Sequence, residues 1–173
     1  MDFLPLASTG YFWLLTLLLI ARGADFLSTW IGTPTLALEA NPLAKKLGWR
    51  WGLILNIALC LALACWPLPA IVLATTSMLV ASRNLQSAWL MRSLGEIQYR
   101  TWIANQLSQT SLGLYLSCVT GQTLLTAAVG LALVRFSRWD LIPFAIGVGI
   151  ITYALAVACF TLLAVWRLRA DFR

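Results

Sequence analysis

The sequence predicts an all-α integral membrane protein with about five transmembrane helices. Hydrophobic residues make up 61% of the 173 positions and charged residues only 10%, which leaves too few charges for the surface of a soluble domain. Long apolar runs such as 111–134 recur along the chain, as spanning segments do. These runs lack the alternation of barrel strands, so helices are the structure that satisfies their backbone groups in lipid. We therefore expect a single transmembrane domain, 1–173.

The order of apolar runs and helix-breaking residues predicts the elements. Pro67 and Pro69 are expected to form a hairpin between the second and third spans. Asn41 is a favoured N-cap, Pro42 a favoured first helical residue, and Gly48 suits a turn after a short helix. The predicted spans are 6–31, 51–66, 70–91, 111–134 and 141–166, with an interfacial helix over 42–47 and a polar cytoplasmic stretch over 94–110.

The N-terminal run is expected to be a retained helix rather than a cleaved signal peptide. The segment 21–23, Ala-Arg-Gly, loosely resembles a small-residue cleavage site. However, the residues before the run include Asp2 and no Lys or Arg, whereas signal peptides begin with a basic region.

Basic residues predict the orientation of the helices. With five spans, one side carries Arg135 and Arg138. The other side carries Lys45, Lys46, Arg50, Arg92, Arg100, Arg167, Arg169 and Arg173. Because the side richer in Lys and Arg faces the cytoplasm, we expect the N-terminus outside, the C-terminus in the cytoplasm, and the protein in the inner membrane of a prokaryote. This orientation explains the net charge of +6, so no nucleic-acid partner is expected.

Composition also limits the chemistry. The chain has no histidine, which excludes histidine-ligated haem, histidine-ligated zinc and Ser-His or Cys-His catalysis. The four cysteines lie inside apolar runs without Cys-x-x-Cys spacing, so we interpret them as small core residues. Any reaction must therefore use carboxylates, arginines, hydroxyls or amides.

Polar side chains fall at the cytoplasmic third of three predicted helices. They are Arg22, Asp25 and Thr29 in the first helix, Asn56 in the second, and Arg83 and Asn84 in the third. Arg22, Asp25 and Thr29 share one helical face. Since an unpaired charge at this depth costs at least a few kcal/mol, we expect Asp25 to pair with Arg22 or Arg83 and the whole cluster to converge. Two interpretations stay open: a network that only fixes helix packing, or a ligand or reaction site open to the cytoplasmic leaflet.

Glu39 precedes the Asn41 cap, where helix capping does not require an acid. Together with Asp25 it would supply two carboxylates, the hard oxygen ligands that suit Mg²⁺ or Ca²⁺. A metal bound by Asp25 and Glu39 is therefore one hypothesis for the site, and the sequence does not place the two residues together.

Two motifs lie close together in the N-terminal third. They are Asp25-Phe-Leu-Ser-Thr29, and Glu39-Ala-Asn41-Pro42-Leu43 followed by a basic pair and Gly48-Trp49. This pattern resembles a domain-of-unknown-function family of small prokaryotic multi-span membrane proteins, in which an Asp-x-x-x-Thr helix is followed by Glu-x-Asn-Pro. The resemblance covers about residues 20–57 and implies no activity. It does imply that Asp25, Thr29, Glu39, Asn41 and Pro42 belong to one shared site.

The fourth span carries small residues at four-residue spacing, namely Gly113, Ser117 and Gly121. Such a face lets another helix approach closely. We expect it to pack against the third or fifth span, with an oligomer interface as the alternative.

Three function classes follow from these residues. The first is a lipid-binding or accessory subunit, with membrane lipid and a membrane protein or second copy as partners. The second is an intramembrane enzyme acting on a lipid or phosphate group, with Asp25 and Glu39 as metal ligands or acid and base and an arginine holding the anion. The third is a small transporter in which Asp25 and Gln122 line a path.

Overall fold

The computed structural model describes residues 3–39 and 41–170, with side chains described as far as residue 167. Asp2, used above in the signal-peptide argument, and Arg169 and Arg173, counted among the basic residues, therefore lie outside the described residues or side chains. The helices are α1 (Thr9–Gly32), α2 (Pro42–Leu63), α3 (Pro67–Leu94), α4 (Glu96–Gln109), α5 (Leu112–Phe136) and α6 (Leu141–Ala170). All except α4 are long and apolar enough to cross a membrane, which confirms the predicted fold class.

Capping residues set the ends of α1 and α3. The Ser8 hydroxyl accepts a hydrogen bond from the Tyr11 amide at 3.2 Å, so α1 begins at Thr9 rather than at residue 6. Pro67 occupies the first turn of α3, where a missing N–H costs nothing. The expected proline hairpin is therefore wrong, because the turn is made by residues 64–66 and both prolines lie inside the helix.

Gly48 divides α2 into two parts. Its backbone has φ 66° and ψ −174°, a region that glycine adopts without the steric cost of a side chain. The part before Gly48 is the predicted short helix, and the part after it is the span. At the same end of the molecule Gly95, with φ 80°, separates α3 from α4, which occupies most of the predicted polar stretch.

The spanning helices lie in the order α2, α1, α3, α6, α5, with α4 touching α3 and α6. Residues at the ends of the helices show that α1, α3 and α6 run parallel and α2 and α5 run against them. One end of the bundle, called the basic end below, carries Lys45, Lys46, Arg50, Arg92, Arg100 and Arg167. The opposite end carries Arg135 and Arg138. Because α2 and α5 lie at the edges, most of their large apolar side chains are exposed.

Small residues allow the central helices to approach closely. The face of α3 that packs on α1 consists of Ala70, Ala74, Ser77, Ala81 and Ala88, all buried. A Cβ added at Gly149 of α6 would lie 3.0 Å from the Val72 carbonyl oxygen of α3. In lipid, where burial of apolar surface does not drive helix association, such close packing supplies the attraction.

The small-residue face predicted on α5 is not the part of this helix that packs on α6. A Cβ added at Gly113 or Gly121 meets no atom within 4 Å, and Ser117 is exposed. The expectation that this face packs within the chain is therefore wrong, and an oligomer interface there stays a prediction. The close contact lies further along the helix, where a Cβ on Gly130 would lie 2.7 Å from the carbonyl oxygen of Gly147.

Candidate functional site

Arg22 is the centre of a polar network that joins three helices. Its Nη1 donates to Asp25 Oδ2 at 2.8 Å and to Ser77 Oγ of α3 at 3.0 Å. Its Nε donates to Asn56 Oδ1 of α2 at 2.7 Å, and Nη2 donates to the same oxygen. The predicted pairing of Asp25 with an arginine is confirmed, and the partner is Arg22.

Local structure holds each member of this network in place. Arg22 and Asp25 lie one helical turn apart, so their side chains meet on the surface of α1. Asn56 donates through Nδ2 to the Gly52 carbonyl at 2.7 Å, which fixes the amide with Oδ1 toward Arg22. Ser77 lies in the small-residue face of α3, where no larger side chain separates it from α1. The Arg22 and Asp25 side chains remain 23% and 17% exposed, so the pair is reachable from outside the bundle.

Asn84 is linked to Asp25 indirectly, through the hydroxyl groups of Ser28 and Thr29. Ser28 and Thr29 donate from their hydroxyls to the Asp25 carbonyl at 2.8 and 3.0 Å. Asn84 Nδ2 then donates to Ser28 Oγ at 3.3 Å and to Thr29 Oγ1 at 3.2 Å. This amide therefore ties α3 to α1 through hydroxyl groups and does not contact the Asp25 carboxylate.

Arg83 does not join the network, so the expectation that it converges on Asp25 is wrong. Neighbouring positions on a helix point about 100° apart, and Asn84 already faces α1. Arg83 instead faces α6, where Nη2 donates to Thr161 Oγ1 at 3.1 Å. Its Nη1 is buried and has no hydrogen-bond partner.

The second motif forms a turn and a cap beside the network. Asn41 Oδ1 accepts from the Leu43 amide at 3.0 Å, which confirms the predicted cap of the helix that Pro42 begins. Glu39 Oε1 accepts from the Asn41 amide at 2.7 Å. Glu39 also lies close enough to Asp25 for the two carboxylates to repel each other. The single shared site that the resemblance implies stays a prediction.

A metal ion at this place would have few protein ligands. Among the described residues, no group of three or more His, Cys, Asp or Glu side chains comes together. Asp25 is paired with Arg22 and Glu39 with a backbone amide, so both acids already have partners. The hypothesis of Mg²⁺ or Ca²⁺ on Asp25 and Glu39 stays a prediction.

Glu96 forms a second polar site that the sequence analysis did not identify. At the start of α4, its carboxylate accepts from the Thr33 hydroxyl at 3.0 Å and from the Thr35 hydroxyl at 2.6 Å. It also accepts from the amides of Thr35 at 3.0 Å and Ala37 at 3.2 Å. Partial burial works to raise the pKa of Glu96, but these hydrogen bonds outweigh it and hold the pKa below its usual range. Glu96 thus fastens the loop between α1 and α2 to α4.

Trp49 fastens the same loop from α2. Its Nε1 donates to the Pro34 carbonyl at 2.7 Å, and its ring packs edge-on against Phe26 with centroids 4.9 Å apart. Tryptophan near the end of a span is typical of membrane interfaces, and this general pattern does not indicate the two contacts of Trp49. The only sequence signal for Glu96 was an acid directly after Gly95 in the polar stretch, which does not reveal its partners.

An apolar crevice of about 460 Å³ opens between α1 and α2. Its lining is Gly23, Phe26, Leu27, Trp30 and Trp49. These α1 residues lie on the same turns as Arg22 and Asp25, so the crevice and the network are adjacent. α1 packs less closely on α2 than on α3, which leaves a gap beside the polar contacts.

Comparison of the chain with family models, curated proteins and solved structures finds no match. The resemblance stated above therefore stays a prediction, and function rests on the geometry.

Proposed function

We propose that the protein is a lipid-binding integral membrane protein that holds part of a membrane lipid in the crevice between α1 and α2. The observation that carries the proposal is the crevice itself, an apolar and partly aromatic gap beside an accessible ion pair. Its volume of about 460 Å³ lies within the usual range of small-molecule sites, roughly 300–1,000 Å³.

The lining and its position favour a lipid over a soluble ligand. Leu27 and Trp30 are 54% and 48% exposed on a helix that is apolar enough to span a membrane. In a membrane these exposed side chains face lipid and not water, so an acyl chain is the ligand that contacts them. The exposed edges of Arg22 and Asp25 offer a cation and an anion to a polar headgroup, as networks within membranes do when they serve a ligand.

A pair of glycine variants tests the proposal. An added Cβ at Gly23 meets nothing within 4 Å, so Gly23→Leu extends into the crevice without a clash inside the protein. Gly113 of α5 is equally open and lies outside the crevice, which makes Gly113→Leu the matched control. Each variant is purified into nanodiscs, and the lipids retained per protein are counted by native mass spectrometry.

We expect Gly23→Leu to lose a retained lipid that the parent protein and Gly113→Leu keep. Equal lipid retention in all three proteins contradicts the proposal. A thermal unfolding scan shows that each variant is folded, so loss of lipid is separated from loss of structure.

An accessory subunit is the second candidate function, and the open face of α5 favours it. Gly113, Ser117 and Gly121 have room for a helix, and none of the described helices fills it. In this case Gly113→Leu, and not Gly23→Leu, is expected to release a stoichiometric membrane protein or a second copy during purification.

We further propose that the basic end faces the cytoplasm of a prokaryote, with the protein in its inner membrane. The support is the imbalance of basic residues between the two ends, which sets orientation in short-loop membrane proteins. Reporters fused at the C-terminus and after Arg138 are expected to lie on opposite sides of the membrane, and the same side for both would contradict the orientation.

A further inference from the structure

Arg83 is a cation inside a spanning helix that has no carboxylate partner among the described residues. Its hydrogen bond to Thr161 Oγ1 at 3.1 Å is to a neutral group, and its Nη1 is buried without a partner. Arg22, which also lies more than two turns from either end of its helix, has both an acid and two neutral acceptors. A guanidinium in the membrane is costly unless it is paired, and the part of the chain that the structure describes gives Arg83 no anion.

The depth of Arg83 suits the phosphate of a lipid. At 1.5 Å per residue, Arg83 lies about 24 Å along α3 from Pro67, and Thr161 lies about 30 Å along α6 from Leu141. Both helices start at the end opposite the basic end, and the hydrocarbon layer is about 30 Å thick. Tyr115, in the first turn of α5, lies close enough to interact electrostatically with Arg83. Three helices thus bring a guanidinium and two hydroxyl-bearing side chains to the headgroup boundary of the basic end.

A second apolar crevice lies deeper in the membrane than Arg83 and Thr161. It measures about 390 Å³ and is lined by Leu79, Leu125, Thr126, Val129 and Ile150. It exists because α5 packs on α6 and not closely on α3, which leaves a groove between α3 and α5. Leu79 lies one turn before Arg83 on the same face of α3, so the crevice lies on the membrane-centre side of the guanidinium.

We propose that Arg83 binds the phosphate of an anionic phospholipid whose acyl chain lies in this second crevice. A guanidinium donates charge-assisted hydrogen bonds to phosphate oxygens, and the phosphate balances the charge that the neutral Thr161 hydroxyl leaves uncompensated. The Thr161 and Tyr115 hydroxyls lie beside the same anion. The apolar groove holds the chain, which a free phosphate ion does not have. This site is separate from the crevice between α1 and α2 and does not depend on it.

Three probes separate the parts of this ligand. Protein in a maltoside detergent, which contains no phosphate, is titrated with phosphatidylglycerol, with diacylglycerol of the same chains, or with inorganic phosphate. Binding is followed by native mass spectrometry for the two lipids and by the rise in unfolding temperature for all three, since a ligand of the folded state stabilises it. We expect phosphatidylglycerol to bind at least about tenfold more tightly than either fragment, the scale of one charged hydrogen bond.

Arg83→Gln removes the charge and keeps a polar, shorter side chain. It is expected to weaken phosphatidylglycerol binding by about tenfold or more, to the level of diacylglycerol. Arg92→Gln is the matched control, because Arg92 is an exposed arginine at the basic end of the same helix. It is expected to bind like the parent, and so is Gly23→Leu, which alters only the first crevice.

A purely structural role for Arg83 gives a different result. Without lipid, Arg83→Gln is expected to unfold at the same temperature as the parent or higher, because an uncompensated buried cation is destabilising. A lower unfolding temperature without lipid, or unchanged phosphatidylglycerol binding by Arg83→Gln, overturns the proposal. An equal loss of phosphatidylglycerol binding in Arg92→Gln also overturns the proposal. If inorganic phosphate binds as tightly as the lipid, the assignment to a phospholipid is overturned.

Discussion

Removing the Asp25 carboxylate is expected to destabilise the protein more than removing the whole ion pair. In Asp25→Leu, the Arg22 guanidinium keeps only the neutral acceptors Asn56 and Ser77 at a site where its side chain is 23% exposed. Breaking a buried pair by removing one partner costs about 3–5 kcal/mol, and the partial exposure places this case near the lower end. Arg22→Leu leaves the carboxylate unpaired and is expected to cost a similar amount.

The double variant Arg22→Leu/Asp25→Leu leaves no charge unpaired. What remains is the loss of hydrogen bonds by Asn56 Oδ1 and the Ser77 hydroxyl, about 1–3 kcal/mol for a group left unsatisfied. Asn56 Nδ2 still has the Gly52 carbonyl, which limits this cost. The loss of stability in the double variant is therefore expected to be at least about 2 kcal/mol smaller than the sum of the losses in the two single variants.

Reversible unfolding in mixed micelles of detergent and dodecyl sulfate measures all four corners of this cycle. A double variant as unstable as the two single losses added together would show that the pair is not coupled, which would refute the reasoning from the 2.8 Å contact. Lipid retention by the same folded double variant separates the two interpretations of the network. A packing network keeps its lipid when the pair is replaced, and a ligand site loses it.

Three further changes test other parts of the fold. Glu96→Gln is expected to lower the free energy of unfolding by about 1 kcal/mol at neutral pH. Because the folded-state pKa of Glu96 is lowered, this difference in stability from the parent should persist above about pH 4.3 and vanish as the pH falls through the lowered pKa. Unfolding curves from pH 7 to pH 3 measure it. Asn41→Ala should lower the free energy of unfolding by about 1 kcal/mol and Asn41→Asp or Asn41→Ser by less, whereas equal severe loss in all three indicates a ligand-binding amide. Gly130→Leu should separate α5 from α6 and lower the unfolding temperature, while Gly113→Leu, which meets no neighbour, should not.

The sequence was sufficient for features that depend on nearby residues. Apolar runs gave the five spans, the Asn-Pro pair gave the start of α2, and the three-residue spacing gave the Arg22 and Asp25 contact. Which face of a helix packs on which neighbour could not be predicted from the sequence. Lipid is as apolar as the core, so apolar residues surround α3, α5 and α6 and do not mark the inner face. Arg83 and Gly113 were therefore assigned to the wrong neighbours.

Long-range polar contacts were unpredictable for a related reason. Glu96 binds a loop more than fifty residues away in the chain, and no local pattern connects them. Its partners are hydroxyls and backbone amides, which are too common to indicate a particular acid. Only the folded arrangement, with the ends of α1 and α3 side by side, brings the loop to the start of α4.

The two arginines within the spans show how one helix separates two chemical roles. α3 presents Ser77 and Asn84 to α1, where the charge of Arg22 is balanced by Asp25 within the chain. On its other side it presents Arg83 to α6, where the described residues provide a hydroxyl and no acid. Asp25 cannot serve both cations, because α3 itself lies between them. The described residues therefore leave the charge of Arg83 unbalanced, and the phosphate of the proposed lipid would balance it.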